Sequence, residues 1–241
     1  MNKNRITVAS LLMTMLILGL VFVPVASAKS TINDQNEISG LFGVEMSEYL
    51  RQNIIQPDPY TFVAAPDIED EDVFFAAWDD YEKKVFEQKR IDDKNVSTRG
   101  TITLDAYGTD YNTMNVGSSY VEGKTYFHGI RETGATTVIF TGDGYNRGKW
   151  YGSGNADRIA LDTSVVVSGV YVSISVPFGA GFTVSGNTAS FGDAYTNTKQ
   201  GYHAYNNLEA SGSWLYDFDQ NDGQSFRFGS STYRTHTHVD L

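Results

Sequence analysis

The stretch SVVVSGVYVSISVP (residues 164–177), followed by FGAG (178–181) and FTVSGNTASF (182–191), decides the fold class. Its period is two. Val170, Val172, Ile174 and Val176 fall on one face of a pleated strand, and Gly169, Tyr171, Ser173 and Ser175 on the other. β-Branched side chains suit such a half-buried surface. Pro177 cannot donate a ladder hydrogen bond and should end the strand, while Gly179 and Gly181 supply the backbone freedom for a reversal. The pattern predicts a long strand, a glycine-rich turn and a return strand carrying Phe182 and Val184 on one face. A strand this apolar on one side needs a second layer, so the expected class is mainly β, an antiparallel sandwich or barrel.

Outward from this hairpin the chain keeps the same character. Strands are expected at 101–107, 124–130, 136–141, 148–152, 158–162, 201–211, 213–218, 225–229 and 232–239. Turn signals separate them at Gly142-Asp143-Gly144, at 152–155, at Gly186-Asn187 and at Asn221-Asp222-Gly223. Many short strands at regular spacing mean a sandwich or barrel over residues 99–241.

Residues 29–98 differ, with 16 acidic against 7 basic side chains and little glycine. Ile38, Phe42, Met46, Tyr49 and Ile54 predict a helix over 36–55, capped by Asn33 or Asp34, weakened by Gly40 and Gly43 and stopped by Pro57 and Pro59. Phe74, Trp78, Tyr81 and Val85 predict a second helix over 69–90, with acids at its start and Lys89-Arg90 near its end, as the helix dipole favours. The acids from Asp67 to Asp72 read as a solvated helix start in preference to a calcium or partner site, since they lack ligand spacing. The acidic region is expected either to cap the β-domain or to be a pro-segment removed after Arg90 or Arg99.

Residues 1–28 read as a secretory signal peptide. Lys3 and Arg5 precede an apolar run from Leu11 to Val25 and a small-residue cleavage site, Ala26-Ser27-Ala28. An uncleaved anchor is the alternative, but the run is short for a span. A secreted, extracellular bacterial protein is expected, with cell-surface association open. The full chain carries a formal charge of −11, and loss of Lys3 and Arg5 makes it more acidic. Such a chain repels phosphate backbones, which argues against nucleic acid, and has no electrostatic anchor for anionic lipid. With no cysteine, thiol nucleophiles, zinc–thiolate sites and iron–sulfur clusters are excluded, and stability has to come from a large core.

The chemistry-bearing clusters are few. His236, His238 and Asp240 lie at i, i+2 and i+4, which on a strand presents two imidazoles and a carboxylate on one face. That is a zinc or copper half-site, to be completed by His128 or His203, or simply the wet face of a terminal strand. Asp217, Asp219 and Asn221 echo a calcium loop, but Gly223 and Phe228 stand where an EF-hand needs other residues, leaving a looser calcium site or a plain hairpin turn. No nucleophile elbow, zincin helix or phosphate loop is present in the sequence. Glu122, Glu132, Asp105 and Asp162 are the carboxylates that a glycosidase would draw on. Catalysis is therefore not expected.

Aromatic residues are in excess. Trp150, Tyr151, Tyr202, Tyr205 and Trp214 sit beside Asn, Gly and Asp, a setting that suits stacking on sugar faces, although tyrosine is also frequent in strand cores. The first expectation is a non-catalytic extracellular or cell-surface binding module for a polysaccharide or wall component. The alternative concerns residues 164–191, whose Ser/Thr and Val/Ile alternation about a Phe-Gly-Ala-Gly tip resembles the membrane-inserting hairpins of β-pore toxins. That resemblance implies a membrane-acting toxin or bacteriocin-like protein.

Overall fold

The computed structural model describes residues 40–96 and 100–241. A 3-10 turn, Leu41–Gly43, leads to a short helix α1, Glu48–Gln52, and a hairpin of β1, Ile54–Asp58, and β2, Thr61–Ala64. Helix α2, Glu71–Val96, follows. Ten strands complete the chain: β3 Thr101–Val116, β4 Ser119–Thr133, β5 Val138–Tyr151, β6 Ala156–Val170, β7 Ser173–Ser175, β8 Thr183–Ser185, β9 Thr188–Thr198, β10 Gln200–Gly212, β11 Trp214–Phe228 and β12 Ser231–Asp240.

They form two antiparallel sheets. The first runs β1-β2-β10-β5-β4-β3, with β7 also on β10; the second runs β12-β11-β6-β9-β8. The sheets face each other as an open sandwich, preceded by the small helical region, and they do not close into a barrel. Helix α2 lies on the outer face of the first sheet. Phe74, Trp78, Tyr81, Val85 and Phe86 pack there against Phe62, Tyr126, Tyr145 and Tyr202. The predicted helical face is the buried one, and Asp70 caps its start through Val73 N–H (3.1 Å).

Part of the first region is not helical. Residues 1–39, which hold the expected signal peptide and the expected Asn33 or Asp34 cap, lie outside the described residues, as do 97–99 at the expected boundary. Within 40–55 the expected long helix is replaced by the 3-10 turn and α1. Phe42 and Gly43 take left-handed φ values of 52° and 82°, which an α-helix does not accept. Pro57 sits in β1, an edge strand, where a missing N–H is harmless. Phe62 and Ala64 of β2 belong to the same core as α2, and Ile38–Leu241 form one compact unit.

Several expected turns are strand interior. Gly142-Asp143-Gly144 lies within β5, and Asn221-Asp222-Gly223 within β11. Long strands override these signals because the glycines of β5 answer crowding inside the sandwich. A Cβ on Gly144 would meet Gln220 Oε1 at 2.5 Å, and one on Gly142 the rings of Phe140 and Phe127. The turns at 152–155 and at Gly186-Asn187 stand where expected.

Between the sheets lie two apolar clusters. One holds Phe127, Phe140, Val165, Val167, Phe218 and Val239; the other holds Val121, Trp150, Ile159, Leu161 and Phe226. A polar belt separates them, and five strands each contribute to it at the same height: Thr125, Asn146, Thr163, then Gln220, Asp222 and Gln224, then Thr235 and Thr237, all buried. The Asp222 carboxylate accepts from Thr125 and, at 2.7 Å, from Gln220. Gln224 donates to Asn146 (2.9 Å) and Thr237 (3.0 Å) and accepts from Thr235 (2.8 Å). A slipped strand would set these groups against hydrocarbon, so the belt fixes register. Gly123 leaves the room they need, since its Cβ would fall 2.1 Å from Gln224 Oε1. Gly123→Ala is expected to destabilise by about 1–3 kcal/mol, read by thermal unfolding; an unchanged midpoint would show that the belt yields freely.

The two open margins of the sandwich are treated differently. At one, β3 and β12 face each other without pairing. Asp110 accepts from His238 N–H (2.9 Å) and Asn112 donates to His236 C=O (3.1 Å), so side chains of β3 occupy the backbone edge of β12. At the other margin the chain itself crosses from sheet to sheet, as described next.

Candidate functional site

The 164–191 stretch does not form one hairpin. β6 ends at Val170 and pairs with β9 over Val166↔Thr188 to Ala156↔Thr198, and with β11 on its other side. Tyr171, at φ 57°, breaks the strand. The chain then crosses to the first sheet, where β7 makes three pairs with β10, from Ser173↔Ser211 to Glu209↔Ser175. It turns through Gly179 and Gly181 and returns to the second sheet as β8, which pairs with β9 at Thr183↔Ser190 to Ser185↔Thr188. The expected arms therefore pair only at their far ends, from Ser164↔Ser190 to Val166↔Thr188, and not beside the glycine turn. Period two persisted in the sequence, but a left-handed residue in its middle turns the chain aside.

Residues 171–186 form a flap over the margin. Val172, Ile174, Val176 and Phe182 lie half-buried against the sandwich core, and Ala180 is fully covered. The outward side carries Ser173, Ser175, Thr183 and Ser185 with exposed aromatics at its ends: Phe178 is 101% exposed and Tyr171 86%, and on the adjoining β11 Trp214 is 66% and Tyr216 60% exposed, with Val170 and Val184 partly open. Trp214 is the register partner of Val170, which puts it at the foot of the flap. No charged residue occurs between Asp162 and Asp193, in a chain that is 20% charged. Phe178 heads the Phe-Gly-Ala-Gly tip read from the sequence; the uncharged run marks Tyr171, and Tyr216 lies outside that run.

Beneath the flap sits His203, 1% exposed. Its ring stacks on Phe191 (3.5 Å between centroids, 5° between planes) and stands 5.7 Å from Phe182. Nε2 donates to Ala180 C=O at 3.0 Å, while Nδ1 has no partner. Burial holds the imidazole down to about 4, outweighing the Ala180 hydrogen bond and the Asp58 charge that favour protonation.

The proposed sugar platform is mostly interior. Tyr202 and Tyr205 are fully buried and Trp150 is 6% exposed, its Nε1–H donating to Gly154 C=O (3.1 Å). Tyr205 donates to Gln220 (2.6 Å) in the polar belt. These three cannot meet a surface ligand. Tyr151, on the face opposite Trp150, is half-buried and stacks on Tyr120 (4.5 Å). Of the five residues only Trp214 stands free in solvent.

The C-terminal residues do lie on a strand, with Thr235, Thr237 and Val239 inward and His236, His238 and Asp240 outward. Asp217, Asp219 and Asn221 are on β11, not in a loop, and pair across at Asp219↔Asp240 and Asn221↔His238. Carboxylate atoms of Asp217, Asp219 and Asp240 lie within 4.8 Å of one another, and His238 Nε2 is 3.0 Å from Asp219. Partial burial, a hydrogen bond to Asp240 and the charges of Asp219 and Asp240 push Asp217 up, against the pull of His238. The oxygens would suit a hard cation such as calcium more than zinc or copper. His203 cannot complete that set, being inside the sandwich, and His128 is engaged under α2 with Asp105 (3.2 Å).

A further cluster docks α2. Arg147 donates to Asp79 (2.6 Å), Glu82 (2.9 Å) and Glu122 (3.1 Å); Lys149 donates to Asp79 (2.8 Å) and Lys124 to Glu82 (2.8 Å). Tyr145 also donates to Glu82 (2.5 Å). Burial, with Arg147 adding to it, lowers Lys149 to about 8 despite its Asp79 partner. Every charge here has a protein partner, so the cluster reads as docking chemistry. The carboxylates considered for a glycosidase are dispersed: Glu122 is bound to Arg147, Asp105 to His128, and Asp162 is on the other sheet. No helix among the described residues is long and apolar enough to cross a membrane. No known protein family matches the chain, and no curated protein is similar to it in sequence.

Proposed function

We propose that this is an exported, non-catalytic protein that attaches to lipid membranes through the flap margin. The observation that carries the reading is the exposure of four aromatic side chains on or beside an uncharged flap, Tyr171, Phe178, Trp214 and Tyr216, with Phe178 wholly in solvent at a turn. Trp and Tyr rings favour the membrane–water interface, and a large apolar residue at a turn tip can enter the acyl boundary without exposing backbone. A soluble protein rarely leaves such a surface uncovered. The acidic chain gives no attraction to anionic headgroups, so the partner is a zwitterionic bilayer and binding is driven by apolar burial. The glycan reading loses support with the burial of Trp150, Tyr202 and Tyr205.

The test uses phosphatidylcholine vesicles. Of the three tryptophans, Trp78 and Trp150 are buried and Trp214 is exposed, so a blue shift of emission on adding vesicles reports Trp214 entering lipid. The shift and co-sedimentation should persist at high salt. Phe178→Ser should weaken partitioning by about tenfold, the effect of losing much of one buried Phe side chain. Unchanged emission, with all protein left in the supernatant, would overturn the reading.

A further inference from the structure

The flap is fastened by little. β7 and β8 are three residues each, and the flap's apolar side chains are only half-buried. Among the described residues, the polar tie from its turn into the interior runs from His203 to the carbonyl of Ala180. That tie depends on a neutral ring. With the proton on Nε2 serving Ala180, Nδ1 is a bare lone pair facing no donor or acceptor. A second proton would create a buried cation, with an N–H that has nothing to donate to, pressed between Phe191 and Phe182.

We propose that His203 is an acid-sensitive latch: its protonation releases the flap of residues 171–186 and turns the half-buried row of Val172, Ile174, Val176 and Phe182 outward to the bilayer. The fate of the released flap rests on the membrane reading above; the release itself does not.

The surroundings of the ring support a local opening. β1 brings Asp58, the charged group that acts on the imidazole, and it favours protonation without contacting the ring closely enough to offset burial. β2 places Thr61 beside it, β5 places Asn146, and β9 brings Phe191. The neighbouring Tyr205 phenol is held well above its usual range by burial and stays neutral. A ring that ionises near 4 when covered and near ~6.5 when free binds more protons in the open state, so acid favours opening. Between pH 7 and 4 the open population should rise by roughly a hundredfold. The hinges are in place: Tyr171 and Gly186 both have positive φ, 57° and 61°.

The experiment is amide hydrogen exchange on the full chain at pH 7 and pH 4, corrected for intrinsic rates. Residues 172–186 should lose protection by roughly a hundredfold at pH 4, while β4, β5 and β11 keep theirs. His203→Gln keeps a donor for Ala180 without a titrating group, and its flap should exchange alike at both pH values. The chain has no cysteine, so Ser173→Cys with Ser211→Cys, opposite one another on β7 and β10, adds a single disulfide that should abolish the acid effect and return it on reduction. Flap exchange that is flat with pH, or that rises equally in the oxidised clip, would overturn the latch. If the flap opens yet phosphatidylcholine vesicles bind nothing at either pH, the latch stands and the membrane reading fails. If vesicles bind equally at both pH values while the flap stays protected, the latch alone is overturned.

Discussion

Replacing Arg147 by methionine is expected to lower the unfolding free energy by roughly 3–5 kcal/mol, a fall in Tm of roughly 10 °C for a chain of this size. The guanidinium is 3% exposed and holds Asp79, Glu82 and Glu122 together. Charge, more than packing, sets the size of the loss. Glu82 is itself 3% exposed, and without Arg147 it keeps only Lys124 and the Tyr145 hydroxyl inside the helix–sheet interface. A buried anion short of its innermost cation is more damaging than the missing bonds. The double change Arg147→Met with Glu82→Gln should therefore recover much of the stability. A single variant that melts with the wild type would mean the cluster is wet and its contacts near neutral.

Asp222→Asn should do the opposite, and only at high pH. Burial pushes the Asp222 carboxyl up to about 7, against hydrogen bonds from Thr125, Gln220 and Thr163 that favour the anion. The unfolded chain releases the same proton near ~3.9. Between those values the folded chain holds a proton that the unfolded chain has lost. The contribution is thus fully present below about 4 and is lost as pH rises through 7, a swing on the order of 4 kcal/mol. The amide has no such proton to lose. Scanning calorimetry should find the variant level with wild type at pH 4 and several degrees more stable at pH 8. An equal displacement at both pH values would assign the effect to packing. His203 runs the other way, losing stability as pH falls from about 6.5 through 4, so acid spares the belt while loosening the flap.

The layers were legible in the sequence and the margins were not. Phe74, Trp78, Tyr81 and Val85 announce one helix face, and alternation announces the strands, because both periodicities follow from burial on one side. Strand ends were harder. Gly142-Asp143-Gly144 and Asn221-Asp222-Gly223 carry turn chemistry, yet both lie mid-strand, since Gly144 and Asp222 answer Gln220 and Thr125 on the facing sheet and Asp143 answers Asn207 on the next strand, partners that no local window contains. The burial of Trp150, Tyr202 and Tyr205 was hidden for the same reason. Tyr202 and Tyr205 lie within β10, and Tyr171 at a left-handed break, a difference no local pattern announces. The outward face shared by His236, His238 and Asp240 was legible, because alternation at a chain end needs no distant partner. The flap was half-legible: the uncharged run from 163 to 192 is plain in the sequence, but the turn at Tyr171 that splits it is not.

The C-terminal strand has one more property. Its outer amide and carbonyl at His238 and His236 are taken by Asp110 and Asn112, two short side chains standing in for a neighbouring strand. Remove both, and β12 becomes a template on which another molecule can lay its own backbone. At high concentration the doubly altered protein should then stack copy upon copy into fibrils, from a fold that otherwise remains whole.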